Sequence, residues 1–424
     1  MSLGRLLRAT TELALRLDRL RPGVLDGPSP DAALGGRVGA EPRPDPRDLV
    51  AGADRLRRDL AAMGAGDVAA RHLDAQLVAL RCGARLAAGE RLGYLDEVRD
   101  RFGVVPRRTH PDVHREAHRR LGHLLPGRGP LAARMRAYRE ADVIPVERRP
   151  AAVHALTAEL RARTRDELGL PAGEQADVEL VEGRPWTALT RYRGRHRSSV
   201  LLDAGSPLRA GRLLGLLAHE IYPGHHTQSC RADAVAVRHP VLGLRLVHSP
   251  QALIAEGAAE AAPWVLPGPG WGAVAQRVLA GVGVRLDGEL AERIELATTA
   301  LGRVRQDAAL LRHVDGADPD TVVDHLSRWL LVPDGQARRI LEFLDHPQWR
   351  SYPVTYAEGA PLVRNWVERF AAGPVAGLRL LLDTPVLPED LSDGAGAVTE
   401  GVGEPFTGSV PDRPGDAPQL RTLQ

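Results

Sequence analysis

The sequence predicts a mainly helical protein of the α+β class, with one small antiparallel sheet set among helices. Three observations predict it. Long stretches place apolar residues at i, i+3 and i+4, as in "LVALRCGARLAAG" and "HALTAELRARTRDEL". One interruption, residues 176–206, holds three short runs rich in Val, Thr, Leu and aromatics, separated by Glu-Gly and Arg-Gly turns. The chain has 424 residues, 43% of them hydrophobic, which is enough for a large buried core.

The elements follow in order. The N-terminus, "MSLGRLLRATTELALRLDRLRPG", repeats arginines and acids every few residues and predicts an amphipathic helix rather than a signal peptide. Residues 22–46 are rich in Pro and Gly and predict a linker or surface loop, closing an N-terminal segment 1–46. One domain is expected over 47–383. It has a helical lobe at 47–175, the sheet at 176–206, and further helices at 207–383. Ser206-Pro207 and Ser249-Pro250 each predict a helix start, because serine caps free amides and proline needs no partner at the first helical position. Residues 384–424 are rich in Gly, Pro and Asp and predict a disordered tail.

Charge and cysteine content narrow the classes of function. Fifty-six basic residues, all arginine, meet 54 acidic ones, so no strong field favours nucleic acid or an anionic membrane. No run of about 20 apolar residues predicts a membrane span. Two cysteines, Cys82 and Cys230, are too few for a disulfide framework. A cytoplasmic location is the expectation.

The stretch "AHEIYPGHHTQ", Ala218–Gln228, carries the chemistry. In a zinc-peptidase helix, histidines at i and i+4 share one face about 6 Å apart and pinch one ion. The glutamate after the first histidine takes a proton from the activated water. Here the i+4 residue is Pro223, which cannot ligate and clashes with the carbonyl of His219. On a straight helix His226 would lie roughly 10 Å along the axis from His219, too far to share a metal. A two-residue bulge at Pro223-Gly224 brings His225 to the ligand position instead. His219 and His225 are therefore the preferred pair. His226 is left as a supporting or substrate-facing group, or as the ligand if the bulge is longer. A third ligand is offered by "AEGAAEAAPW", where Glu256 and Glu260 lie one turn apart and either could serve. Gly257 beside Glu256 lets another backbone approach.

These residues resemble the HExxPGHHxQ signature of the bacterial family called domain of unknown function 885. The family is similar to zinc peptidases, so the resemblance implies a large helical zinc-peptidase-like fold. "AEGAAEAA" resembles an EGWALY-like segment, which implies Glu256 as third ligand. "HVDGADPDTVVDHL" resembles an H-x-x-G stretch and puts His313 near the site. "SYPVTYAEG" resembles a P-G-Q-A-x-x-Y-x-x-G segment, matching Tyr356 and Gly359. This chain departs from the pattern at Ala258, Ala259 and Ala309, and Tyr352 stands where the glutamine would.

The resemblance implies one Zn²⁺ per chain, held by His219, His225 and Glu256, with Glu220 as general base. Tyr356 or His313 would donate to the developing oxyanion. Arg195, Arg197 and Tyr352 are candidates to meet substrate, and "RSSVLLDA" could pair with an extended peptide. The expected partner is a peptide or small amide, which makes a metallopeptidase-like hydrolase the leading function. A non-catalytic helical binding module and a metal-dependent lyase or cyclising enzyme are the alternatives. His114 and His118 are also spaced i, i+4, but arginines surround them and a solvated basic helix is expected.

Overall fold

A computed structural model describes residues 2–392 except 30, 65 and 185. Helices lead the chain: α1 (Leu3–Leu20), α2 (Ala32–Ala40), α3 (Pro46–Ala62), α4 (Val68–Ala87), α5 (Tyr94–Phe102), α6 (Pro111–Leu124), α7 (Leu131–Ala141) and α8 (Arg149–Glu167). Strands β1 (Gln175–Val181), β2 (Ala188–Gly194) and β3 (Arg197–Asp203) follow. Then come α9 (Ala210–Glu220), α10 (His225–Val235), α11 (Pro250–Val265), α12 (Trp271–Ala280), α13 (Gly288–Thr298), α14 (Val304–His313), α15 (Pro319–Leu330) and α16 (Asp334–Asp345). A π-helical turn, Thr355–Gly359, leads into α17 (Ala360–Arg369), α18 (Pro374–Asp383) and α19 (Pro388–Ser392). The mainly helical α+β class is as the sequence predicts, and no described helix is long and apolar enough to cross a membrane.

The Pro/Gly-rich segment after α1 is not a bare linker. Asp31 accepts a hydrogen bond from the Leu34 amide and starts α2, whose Leu34 and Val38 are buried against α1. The start of the expected tail is ordered too. α19 buries Leu391 among Val363, Trp366 and Leu378, and residues 393–424 lie outside the described residues. The helix with His114 and His118 is not simply solvated. His114 is buried with Nε2 3.0 Å from Asp307, and His118 Nε2 meets the Trp329 carbonyl at 3.0 Å.

The sheet is mixed, not antiparallel. Its order is β1-β3-β2, with β1 parallel to β3 and β2 antiparallel to it. The turn at Arg195 and His196, both at positive φ, closes a tight β2–β3 hairpin. At the end of β3, Asp203 accepts from the Arg184 amide and the Ala204 N–H donates to the Val181 carbonyl. β3 thus has a neighbour on each side, so it has no free edge for an added peptide strand.

Two apolar layers fix the sheet and the central helices. Val200 and Leu202 of β3 pack with Leu213, Leu214 and Leu217 of α9. α11 is the hub: it packs on α9, α17, α18 and the π turn. Its start is as predicted, with Ser249 accepting from the Ala252 amide at 3.1 Å. Ser206 does not start α9. Asp142, at the end of α7, accepts from the Gly211 amide at 3.0 Å and supplies the cap from 69 residues away.

Candidate metal centre

Helix α9 ends at Glu220 because the chain cannot continue through Pro223, which has no amide to donate. The chain folds back tightly here. A Cβ on Gly224 would sit 1.7 Å from the His219 carbonyl oxygen, so only glycine fits. A new helix, α10, starts at His225. The break is larger than a bulge within one helix, and it has the same outcome for the ligands. His219 Nε2 and His225 Nε2 lie 3.1 Å apart, with their rings nearly perpendicular.

Glu256, on α11, completes the group. Its Oε2 lies 3.5 Å from His219 Nε2 and its Oε1 3.6 Å from His225 Nε2. Gly257 lets α11 seat this close to its neighbour: a Cβ there would come 2.4 Å from the Gly359 carbonyl oxygen, on the π turn. His219, His225 and Glu256 can hold a metal ion, since their ligand atoms all lie within 4.8 Å of one another. Tetrahedral bonds of about 2.1 Å put neighbouring ligand atoms about 3.4 Å apart, close to the distances found. Glu256 Oε2 is buried without a hydrogen-bond partner, as expected for an atom reserved for a cation.

Electrostatics favour positive charge at this point. Burial opposes protonation of His225, yet Glu256 raises it to about 10. Burial likewise opposes ionisation of Glu256, but His225 and His219 hold it far below the usual carboxylate range.

A ring of partners turns both histidines inward. Gln228 donates through Nε2 to the Ala255 carbonyl at 2.9 Å, so its Oε1 faces His225 Nδ1 at 3.2 Å and accepts from it. That fixes the tautomer and leaves Nε2 free to ligate. Glu260 lies 3.4 Å from His219 Nδ1 and does the same for that ring. Glu260 is thus a supporting carboxylate on the outer ring nitrogen. The Tyr352 hydroxyl donates to Glu256 Oε1 at 2.7 Å, which makes it a partner of a ligand.

His226 faces the other way. It is fully buried, with Nε2 2.9 Å from Glu174 Oε2 and Nδ1 2.8 Å from Ser198 Oγ. Glu174 also accepts from Tyr222 and Arg161, each at 2.6 Å. His226 therefore braces α10 against the sheet and does not face substrate.

Glu220 is buried beside the sheet. The Thr190 hydroxyl of β2 lies 2.6 Å from its Oε2 and 2.9 Å from its carbonyl oxygen. Tyr356 packs on Tyr352, ring centroids 5.9 Å apart. Burial and the charges of Glu256, Glu260 and Glu220 push its hydroxyl well above the ordinary range, so it stays a donor.

Three expected residues are not brought to the cluster. His313 stacks on Tyr94 and meets the Leu344 carbonyl at 2.8 Å, because α14 carries it to the far end of the helix. Arg195 lies in the exposed hairpin turn, and Arg197 donates to Gln175. Sequence reading missed Thr190, Glu174 and Ser198 altogether. Gln228 was visible within the motif, but its role was not.

No family model matches the chain, and no curated protein matches it. Among solved structures, it is similar to a crystal structure of a "putative lipoprotein" from Colwellia psychrerythraea. The identity is 12% over 82% of this chain and 69% of that one, with a TM-score of 0.51. At that identity the likeness concerns the fold alone.

Proposed function

We propose that the protein is a zinc-dependent hydrolase of peptide or related amide bonds. The observation that carries this reading is the convergence of His219 Nε2, His225 Nε2 and the Glu256 carboxylate, with Glu220 next in the chain to the first ligand. Two imidazoles and a carboxylate suit zinc, and three protein ligands leave a position for water or substrate. A bound zinc ion would supply activation of water and polarisation of the scissile carbonyl.

The chain's own residues supply the rest. Thr190 holds Glu220 Oε2, which leaves Oε1 to take a proton from the attacking water. Hydroxide oxygen joins the carbonyl carbon, the carbon–nitrogen bond breaks, and Glu220 returns the proton to the leaving amine. Tyr356 donates to the developing oxyanion. β2 is an edge strand beside Glu220, so its outer edge, not β3, is the place for an extended substrate to pair. A reducing, cytoplasmic location belongs to this proposal and fits the two buried free cysteines.

The test is elemental analysis of the purified protein, followed by a peptide library in ¹⁸O-labelled water. One zinc per chain, ¹⁸O in the products, and loss of turnover with zinc retained in Glu220→Gln are expected. Turnover without ¹⁸O incorporation would move the protein to the lyase or cyclising class. Zinc without turnover would favour a binding module, and no zinc uptake would sink the proposal.

A further inference from the structure

The candidate metal centre is open to solvent on one side. The side chains of His219 and His225 keep 16% and 23% of their surface. Four polar side chains gather beside this opening: Arg212 of α9, Glu260 of α11, Tyr356 of the π turn and Arg305 in the first turn of α14. Arg212 stands two turns before His219 on the same face of α9, roughly 10 Å along the axis.

Arg305 reaches this group because its neighbours in the chain bind the π turn. Arg303 meets Glu358 Oε2 at 3.4 Å, and Gln306 donates to Glu358 Oε1 at 2.6 Å, two residues past Tyr356. Arg305 itself is exposed. Yet burial, opposed by Tyr356 and then helped by Arg212, holds its guanidinium below the ordinary arginine range. A side chain both open to solvent and crowded by protein stands in a concave place, not on an outer face.

The carboxylates of this region are committed elsewhere. Glu260 lies 3.4 Å from His219 Nδ1, Glu295 lies 3.0 Å from Arg212, and Glu358 holds Arg303 and Gln306. Arg305 has no hydrogen bond or ion pair among the described residues. A lone arginine on a convex surface is ordinary. This one faces a second guanidinium, beside the hydroxyl assigned to the oxyanion. The wall is therefore positive where a substrate passes, and it favours an anionic group there.

We propose that Arg305 binds a carboxylate of the substrate next to the scissile bond, so that the protein acts on peptides or amides carrying a free carboxylate on that side. The assignment rests on the hydrolase reading of the same site. A carboxylate is the anion that a peptide offers, and the planar guanidinium fork matches it with two parallel hydrogen bonds. One residue of extended chain spans only about 3.5 Å. With the scissile carbonyl at Tyr356, the carboxylate therefore belongs to the adjoining residue, as its chain end or its side chain.

The test is calorimetric titration of the zinc-loaded protein with two matched thiols, 3-mercaptopropanoate and 3-mercaptopropanamide. Both thiolates can ligate zinc, and only the first compound carries a carboxylate. The acid should bind about 10–100-fold more tightly than the amide. Arg305→Gln should keep its zinc and bring the two to near parity. Arg305→Met, which keeps the apolar stem, carries the test if the glutamine variant does not fold. Zinc uptake with no preference for the acid, or a preference unchanged in the variant, overturns the carboxylate assignment and leaves the zinc reading standing. No zinc uptake sinks the hydrolase reading and this one with it. Peptides with a free C-terminus, the same peptides amidated, and amidated peptides with glutamate after the scissile bond then separate the two sources. Cleavage of the first set alone assigns the chain end, cleavage of the third as well assigns the side chain, and equal cleavage of the second overturns the proposal.

Discussion

At Gln228 a single carboxamide decides which nitrogen of His225 faces the cluster. Its amide nitrogen is committed to the Ala255 carbonyl, so only its oxygen can meet His225. Gln228→Ala removes this constraint and frees the ring to adopt the other tautomer. Zinc affinity should fall about 10–100-fold with the fold intact, measured by competition against a chromogenic chelator. His226→Ala should behave in the opposite way. Zinc stoichiometry should be kept while stability falls by about 2–3 kcal/mol in urea denaturation, because Glu174 and Ser198 lose a buried partner. Loss of zinc in His226→Ala, with His225→Ala unaffected, would overturn the ligand assignment. The sequence narrowed the pair to His219 and His225 by distance alone. It could not show where His226 points, because Glu174 and Ser198 lie 52 and 28 residues away and carry no local signal.

At the scale of elements, two glycines set how closely backbones meet. Gly224 lies against the end of α9, and Gly257 seats α11 on the π turn. Neither neighbour is a flexible side-chain end, so an added methyl has nowhere to go. Gly224→Ala and Gly257→Ala should each cost about 3 kcal/mol or more. Gly215→Ala is the control, since a Cβ there meets nothing within 4 Å in a helix interior. It should stabilise by about 0.5–1 kcal/mol. Chemical denaturation of the three variants checks this, and equal effects at Gly215 and Gly257 would refute the close-approach account. The element boundaries were legible where the determinant is local. Ser249-Pro250 marked α11, and Pro223 marked the end of α9. They were illegible where it is remote. The cap of α9 comes from Asp142, and the place of β1 is set by a crossing over β3 that strand composition does not encode.

Across the whole molecule, Glu174 ties together parts that the sequence keeps apart. Its carboxylate joins Arg161 on α8, Tyr222 in the break between α9 and α10, and His226 on α10. Ser198 on β3 extends the link through His226. The candidate metal helix, the sheet and the helical lobe are thereby held in one register. Burial alone would raise the Glu174 carboxyl, but hydrogen bonds from His226, Tyr222 and Arg161 overcome this and hold it at about 2. Its ordinary value is 4.5, so the folded state holds the proton less tightly than the unfolded one. The stabilisation is therefore fully present above pH 4.5 and is lost as pH falls from there towards 2. Its full size is roughly 3 kcal/mol, and about half to two-thirds should be gone by pH 3. The side chain is only 3% exposed, so solvent screening takes little from this. Urea denaturation of the wild type and of Glu174→Gln at pH 6 and pH 3 tests it. The wild type should lose about 2 kcal/mol more than the variant between the two. Equal losses would mean that another carboxylate governs acid stability and that the Glu174 network does not hold the three regions together.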